Sequence, residues 1–560
     1  MTRDPLADQA TVRAVHDAAQ AGKHAAAAAL AEAALAGGLE HALLLNVVAL
    51  KLEEQGKLPE AERLLRRAVE ISPDDRGARN ALGLVLLRLE RPAQALLQFE
   101  ALLRLNPSLP FAHANRGSAL VELGLIAQAQ ASYRRALDLD PCQAMALSGL
   151  ARLAAGRGAH GEARGWAQKA LAVLPGFPDA VLSLAAAELG EQNLADAEAR
   201  LRALLNDVRL GPQERAYANG LLADVLDAKD YTEEAFAAYS LCNQELQRLH
   251  AARFSTSGGA SGGASGGASG SASGSALTYA RSLDDYFART PPEIWKQPPA
   301  ADPRCTGASR HVFVLGFPQS GATLLEVVLK GHPDIVSLQQ SESLIAAVQE
   351  YMQRPEDLGR FVSAPLATLG RLREAYWQRV AAAGIDVKGK LFVDEHPLNT
   401  LKLPLIARLF PEARIVFACR DPRDVVLSCF RHRFRMSAPM YELLSLEGAA
   451  RYYDAVMRLT VRLTGGLALE MCLVRHEDVV TAFAREMKRV CDFLAIEWHP
   501  AMGDFALRPK DPTAPAITTA QLVRGLGTEG IGQWRRYRRH MAAVLPVLEP
   551  WIKRFYYEQS

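Results

Sequence analysis

Two hydrophobic patterns of different period divide the chain. Through residues 7 to 250, apolar and small residues recur at helical spacing inside a longer repeat of 34 residues. Pro73, Pro107, Pro141 and Pro175 mark that repeat, each closing a similar phrase: Ile-Ser-Pro, Leu-Asn-Pro, Leu-Asp-Pro, Val-Leu-Pro. Ala61, Ala95, Ala129, Ala163 and Ala197 hold one register; Ala49, Gly83, Gly117, Ala151 and Ala185 hold another. Small residues at these places let two helices approach closely, and each Pro opens the next unit after a turn. Stacked helix pairs are predicted, with weaker units at both ends. From about Leu277 short apolar runs alternate with helical ones: His311–Gly316, Leu391–Asp394, Arg414–Cys419 and Glu470–Val474. Such alternation predicts a parallel sheet covered on both faces, with ligands at the carboxyl ends of its strands.

Between the two patterns, Ser257 to Ala276 consists wholly of Ser, Gly and Ala. It has too little apolar surface to order itself and reads as a flexible linker. The expected organisation is therefore a helical array over residues 7–250, a linker over 251–277 and an α/β domain over 278–560. A period of 34 residues with these small-residue registers resembles the tetratricopeptide repeat. That resemblance implies an all-α superhelix whose concave face holds a peptide or protein partner. Tyr133 and Trp166 could line such a groove, although aromatics at helical spacing are more often core.

Composition narrows the picture. A net charge of +2 over 560 residues makes no case for nucleic acid or an acidic membrane. The seven cysteines form no C-x-x-C pair, so neither zinc nor a disulfide framework is indicated. Several sit among apolar neighbours, as small core residues do. No apolar run is long enough to cross a bilayer, and the N-terminus carries no apolar signal segment. A soluble, cytoplasmic protein is the expectation.

The chemistry concentrates in His311 to Thr323, a buried strand, a Gly316-Phe-Pro-Gln-Ser-Gly321 turn and a helix start. Free N–H groups and the positive end of a helix dipole there make an anion cradle. The spacing Gly316-x4-Gly321 copies a nucleoside-triphosphate loop, but Ala322 stands where that motif needs Lys, which ranks a kinase or triphosphatase low. A second strand runs into Arg420-Asp-Pro-Arg-Asp-Val-Val-Leu-Ser428. Its guanidinium at the strand tip and its hydroxyl two turns along the next helix could clamp a second phosphate.

Four ordered motifs, Pro-x-Ser-Gly-x-Thr, Arg-Asp-Pro-Arg-Asp-x-x-x-Ser, Val-Arg-x-Glu-Asp and Gly-x-Trp-Arg-x-Tyr, resemble the sulfotransferase family over residues 278–560. The group with N-terminal tetratricopeptide repeats, similar to tyrosylprotein sulfotransferases, matches best. The resemblance implies a P-loop-like parallel sheet and sulfuryl transfer from 3′-phosphoadenylyl sulfate (PAPS) to a hydroxyl, a protein tyrosine among the candidates. The product is 3′-phosphoadenosine 5′-phosphate. Carried over by motif, Gln319, Ser320, Gly321, Ala322 and Thr323 hold the 5′-phosphosulfate, Arg420 and Ser428 hold the 3′-phosphate, and Glu342 is the general base. No metal is implied. His332 sits in a turn at the far end of the helix; His396 is a weaker second candidate for the base. The repeat array would recruit the acceptor.

Five departures matter. Gln319 and Ala322 replace the family's Arg and Thr, and Glu395 stands in place of a Lys, reversing a charge. His476 replaces an aromatic, and Gln533 sits where a basic residue is common. His396 or Lys390 could supply a missing cation. The alternative is a catalytically impaired sulfotransferase fold that only binds nucleotide or protein. The basic run Arg535, Arg536, Arg538 and Arg539 reads as a solvated face rather than a ligand contact.

Overall fold

The computed structural model describes residues 5–254, 275–291, 293–296, 308, 310–504 and 527–557. The linker expectation for 255–274 lies outside these residues. The chain divides into two compact units, one up to Arg200 and one from Leu201 onward.

The first unit is a run of helix pairs, among them Arg76–Arg88 with Pro92–Leu105 and Pro110–Glu122 with Ile126–Leu139. The small-residue registers have a direct packing reason. A Cβ on Gly83 would lie 2.4 Å from the Phe99 ring, and one on Gly117 would lie 2.6 Å from the Tyr133 ring. Gly149, from the next pair, meets Tyr133 as well, at 2.4 Å. Each large ring is thus received by the missing side chain of its neighbour. Tyr133 is fully buried core, and Trp166 packs on the clusters around Leu147 and Leu150. The Ala-rich start, off register in sequence, also pairs, with Val15, Ala27 and Ala31 between its helices.

The second unit carries a five-stranded, all-parallel sheet: β1 (Arg310–Leu315), β2 (Ile335–Gln339), β3 (Leu391–Glu395), β4 (Arg414–Cys419) and β5 (Glu470–Arg475). Their order is β2-β3-β1-β4-β5. Periodicity picks out four of these strands; β2 is a short edge strand with a weaker pattern. Alternation sorts the side chains of β1. Val312 and Val314 join Leu325, Val416 and Val490 on one face, while His311 and Phe313 join Tyr376 and Phe410 on the other. The order in which strands are added reverses beside β1, with β2 and β3 on one side and β4 and β5 on the other, so the crevice at the carboxyl ends of these strands is where a ligand belongs.

The second unit begins earlier than the sequence pattern suggests. Helices Pro212–Ala228 and Thr232–Phe254 pack on the helix Pro422–Arg431 and on the C-terminal segment. Asp227 pairs with Arg431 and accepts from the Tyr537 hydroxyl at 2.6 Å, and Asp224 meets Arg433 at 2.6 Å. Phe236 is stacked between Phe430 and His540, at 5.2 and 3.8 Å. A division at 251–277 therefore falls after these helices, whose carboxylates and rings are committed to the α/β domain. Arg536 is drawn into the same contact, 3.1 Å from Asp227, whereas Arg535, Arg538 and Arg539 are exposed as expected.

Candidate active site

The turn after β1 is built by close approach. A Cβ on Gly316 would lie 2.5 Å from Ser320 Oγ and 2.7 Å from the Ala418 carbonyl. The Thr400 hydroxyl accepts the Gly316 N–H at 3.2 Å and donates to its carbonyl at 2.8 Å. Ser320 is buried, and its hydroxyl accepts the Phe317 N–H at 3.3 Å. Gln319 sits in the left-handed region at φ 66°, a conformation costing about 1 kcal/mol or more for a non-glycine residue. The helix Ala322–Leu329 starts at Gly321 with no side-chain cap, so its first N–H groups face the turn. Gln319, Gly321 and Thr323 are partly exposed, so the turn is open rather than packed over.

Gly321 has φ 97°, and a Cβ there would lie 2.8 Å from His476 Nδ1. Gly321→Ala is therefore expected to destabilise the second unit by about 1–3 kcal/mol, read by thermal unfolding. Adding His476→Ala should recover only the collision, not the backbone strain; full recovery would show that the backbone carries none.

Arg420 and Ser428 come to this turn. The helix Pro422–Arg431, with Pro422 at its first position and Asp421 as its cap, leaves the tip of β4 beside it. Arg420 donates to the Gln319 carbonyl at 3.2 Å and to the Gly530 carbonyl at 2.6 Å. Ser428 donates to Gln319 Oε1 at 3.1 Å. The neighbouring acids are engaged elsewhere. Asp421 pairs with Arg423 at 2.7 Å, and Asp424 accepts the Gly532 and Trp534 N–H groups at 2.6 and 2.9 Å. Among the described residues Arg420 has no ion pair, and its buried Nε has no partner. His476 Nδ1 is likewise buried and unpartnered. Burial, and then the Arg420 charge, pushes that imidazole down to about 3, so it stays neutral.

Glu342 follows β2 on the opposite side of the turn. Its Oε2 meets Lys402 Nζ at 2.7 Å and its Oε1 lies 3.5 Å from His396 Nε2. Burial pushes its carboxyl upward, but the hydrogen bond from His396 and the Lys402 charge outweigh it and hold the group down at about 2. The adjacent Ser343 anchors the loop by donating to Asp394 Oδ2 at 2.6 Å. Tyr376, bonded in turn to His311, donates to the same oxygen at 2.7 Å. Burial keeps His311 neutral, at about 3.

Two sequence expectations need correction. Glu395 does not reverse a charge: it is fully buried, and burial with Glu326 and Asp394 nearby pushes it up to about 8. It is mostly protonated at neutral pH, with the Thr323 hydroxyl 3.5 Å from Oε1 and, among the described residues, no partner on Oε2. Lys390 cannot replace a lost cation, because it precedes β3 and binds Asp334 at 3.0 Å at the amino end of the sheet. His332 lies at that same end, accepting the Asp334 N–H at 3.1 Å.

The residue missed in sequence is Lys402. It ends the short helix Pro397–Lys402 and is 4% exposed. A Lys among Leu398, Leu401, Leu403, Leu405 and Ile406 was the available signal. Asn399, in the same helix, has both side-chain polar atoms buried and without a partner among the described residues. Among the described residues no group of three or more His, Cys, Asp or Glu could hold a metal ion, and no helix is long and apolar enough to cross a membrane.

Residues 311–500 match the model of the sulfotransferase family, and segments from residue 12 to 180 match a tetratricopeptide repeat model. The second part of the chain is thus similar to the sulfotransferase family and the first to the tetratricopeptide repeat. It is 25% identical over 263 residues to an uncharacterized protein of Aquifex aeolicus, covering 44% of this chain and 33% of that one. It is 22% identical over 256 residues to the protein-tyrosine sulfotransferase of Drosophila melanogaster, covering 42% of this chain and 50% of that one. The chain thus spans between a third and half of the length of these relatives. Among solved structures it is similar to a tetratricopeptide repeat protein from Parabacteroides merdae, at 18% identity and a TM-score of 0.35, covering 43% of this chain and 96% of that one.

Proposed function

We propose that the second unit transfers a sulfuryl group from PAPS to a hydroxyl acceptor, and that the helical array recruits the acceptor, a peptide or protein tyrosine among the candidates. The observation that carries this reading is Gln319. Its backbone oxygen touches Arg420 and its side chain touches Ser428, so the turn and the second phosphate motif share one rim. The unpartnered Arg420 Nε and His476 Nδ1 fit a polyanionic ligand at that rim.

In this reading Gln319 to Thr323, with the start of the helix, hold the 5′-phosphosulfate end, while Arg420 and Ser428 hold the 3′-phosphate. Glu342 takes the proton of the acceptor hydroxyl. A sulfuryl group, like a phosphoryl group, needs positioning and charge stabilisation more than covalent help. The reading includes a cytoplasmic location.

Calorimetry with 3′-phosphoadenosine 5′-phosphate tests the nucleotide site. Arg420→Met should weaken its Kd about 10- to 100-fold, the worth of a charge-assisted phosphate contact. ATP should bind far more weakly than the 3′-phosphorylated nucleotide; equal affinity would sink the assignment. Gln319 in place of a cation favours one rival, a module that binds without turnover. Nucleotide binding with no transfer across a panel of phenolic and peptide acceptors would select that rival.

A further inference from the structure

We propose that Lys402 supplies the cation of the transfer step, exchanging its Glu342 partner for the oxygen that leaves the sulfur. This rests on the sulfuryl-transfer reading above and assigns a group within it. When the S–O bond to the 5′-phosphate breaks, its electron pair stays on that oxygen. A positioned donor there is worth about 100- to 1,000-fold in rate. Two positions that could hold such a cation do not: residue 319 is Gln, and Glu395 is a buried acid with no positive charge. Arg420 is assigned to the 3′-phosphate end in the reading above, with two of its nitrogens on the Gln319 and Gly530 carbonyls. Lys390 sits at the amino end of the strands.

Lys402 has the required placement. The Thr400 hydroxyl bolts its helix to both polar groups of Gly316, the first residue of the turn. The Lys402 ammonium is buried and lies 2.7 Å from the candidate base. Leu398, Leu401, Leu403, Leu405 and Ile406 around it are buried, so a purely structural position there would be filled at lower cost by Leu or Met. The exchange also has a chemical consequence. Glu342 is faced by Lys402 and His396, with the Asp394 network behind it. Removing the ammonium leaves Glu342 a stronger base at the moment the acceptor proton must depart.

Atoms balance. The acceptor oxygen forms a bond to sulfur and its proton passes to Glu342. The bond from sulfur to the 5′-phosphate oxygen breaks, and the Lys402 N–H donates to that oxygen as it takes the electron pair. The products are the sulfated acceptor, 3′-phosphoadenosine 5′-phosphate and protonated Glu342.

The test compares wild type, Lys402→Met and Lys402→Gln for transfer from PAPS and for binding of 3′-phosphoadenosine 5′-phosphate. The expected result is a kcat 100- to 1,000-fold lower in both variants, with nucleotide Kd within threefold. The acid limb of the kcat/KM profile should move up toward that of an ordinary glutamate, near 4.3. Loss of the ion pair alone would move that limb, so the fall in kcat at unchanged nucleotide Kd is what separates a lysine acting on the leaving oxygen from a merely structural one. Lys402→Gln keeps a hydrogen-bond donor for Glu342 and decides the matter if Lys402→Met does not fold. An active wild type with kcat within threefold in the folded variants would overturn the role of Lys402 alone. A wild type that binds the nucleotide but sulfates no acceptor would bring down the transfer reading and this proposal together.

Discussion

Glu342→Gln is expected to lower kcat about 100- to 10,000-fold, the range a positioned general base contributes, while leaving the affinity for 3′-phosphoadenosine 5′-phosphate nearly unchanged. The glutamate lies across the turn from Arg420 and Ser428, and its described partners are Lys402 and His396, so nucleotide binding should not need it. Its partners hold it ionised down to about 2. The acceptor form is then present at every ordinary assay pH, and a wild-type kcat/KM profile should show no loss from Glu342 between pH 5 and 7. The same shift has a stability sign. A carboxyl depressed from 4.5 to about 2 stabilises the fold above its unfolded value and loses that contribution as pH falls through about 2. Gln also leaves the Lys402 ammonium without its counter-charge. Thermal unfolding and nucleotide calorimetry on the variant therefore accompany the rate measurement. A variant that binds nucleotide normally and still turns over at the wild-type rate would remove Glu342 from the mechanism.

Glu395→Gln is expected to change how stability depends on pH. The glutamate carboxyl is raised from 4.5 to about 8, first by burial and then by Glu326 and Asp394. Between those values the unfolded chain has released the proton and the folded chain keeps it. Folding then takes up a proton, so stability falls as pH rises across that window and levels off above it. The full effect is about 5 kcal/mol, since each pKa unit is worth about 1.4 kcal/mol. Gln is neutral throughout and can still meet the Thr323 hydroxyl. The variant should therefore gain on the wild type by several kcal/mol between pH 5 and pH 8.5, read from unfolding midpoints. Parallel pH dependences in the two proteins would show that Glu395 is ionised in the folded state.

Local sequence determined much of this protein. A 34-residue period carries its own packing logic, because Gly83 and Gly117 need to be small only where Phe99 and Tyr133 come one helix later. The turn from Gly316 to Gly321 and the spacing from Arg420 to Ser428 are likewise short-range, and a strand, a tight turn and a helix follow from neighbouring residues. Tertiary structure alone decided the rest. Lys402 finds Glu342 from 60 residues away because β2 and β3 are neighbours in the sheet and β1, beside β3, carries the turn to which the Lys402 helix is tied. The charge of Glu395 depends on what buries it, and no pattern of neighbouring residues states that. Helices Pro212–Ala228 and Thr232–Phe254 fall inside the span that reads as the array in sequence, but Asp224, Asp227 and Phe236 have their partners on the α/β domain. Period reports which face of an element is apolar; only the assembled sheet reports which distant group that face meets, and with it the protonation and the chemistry.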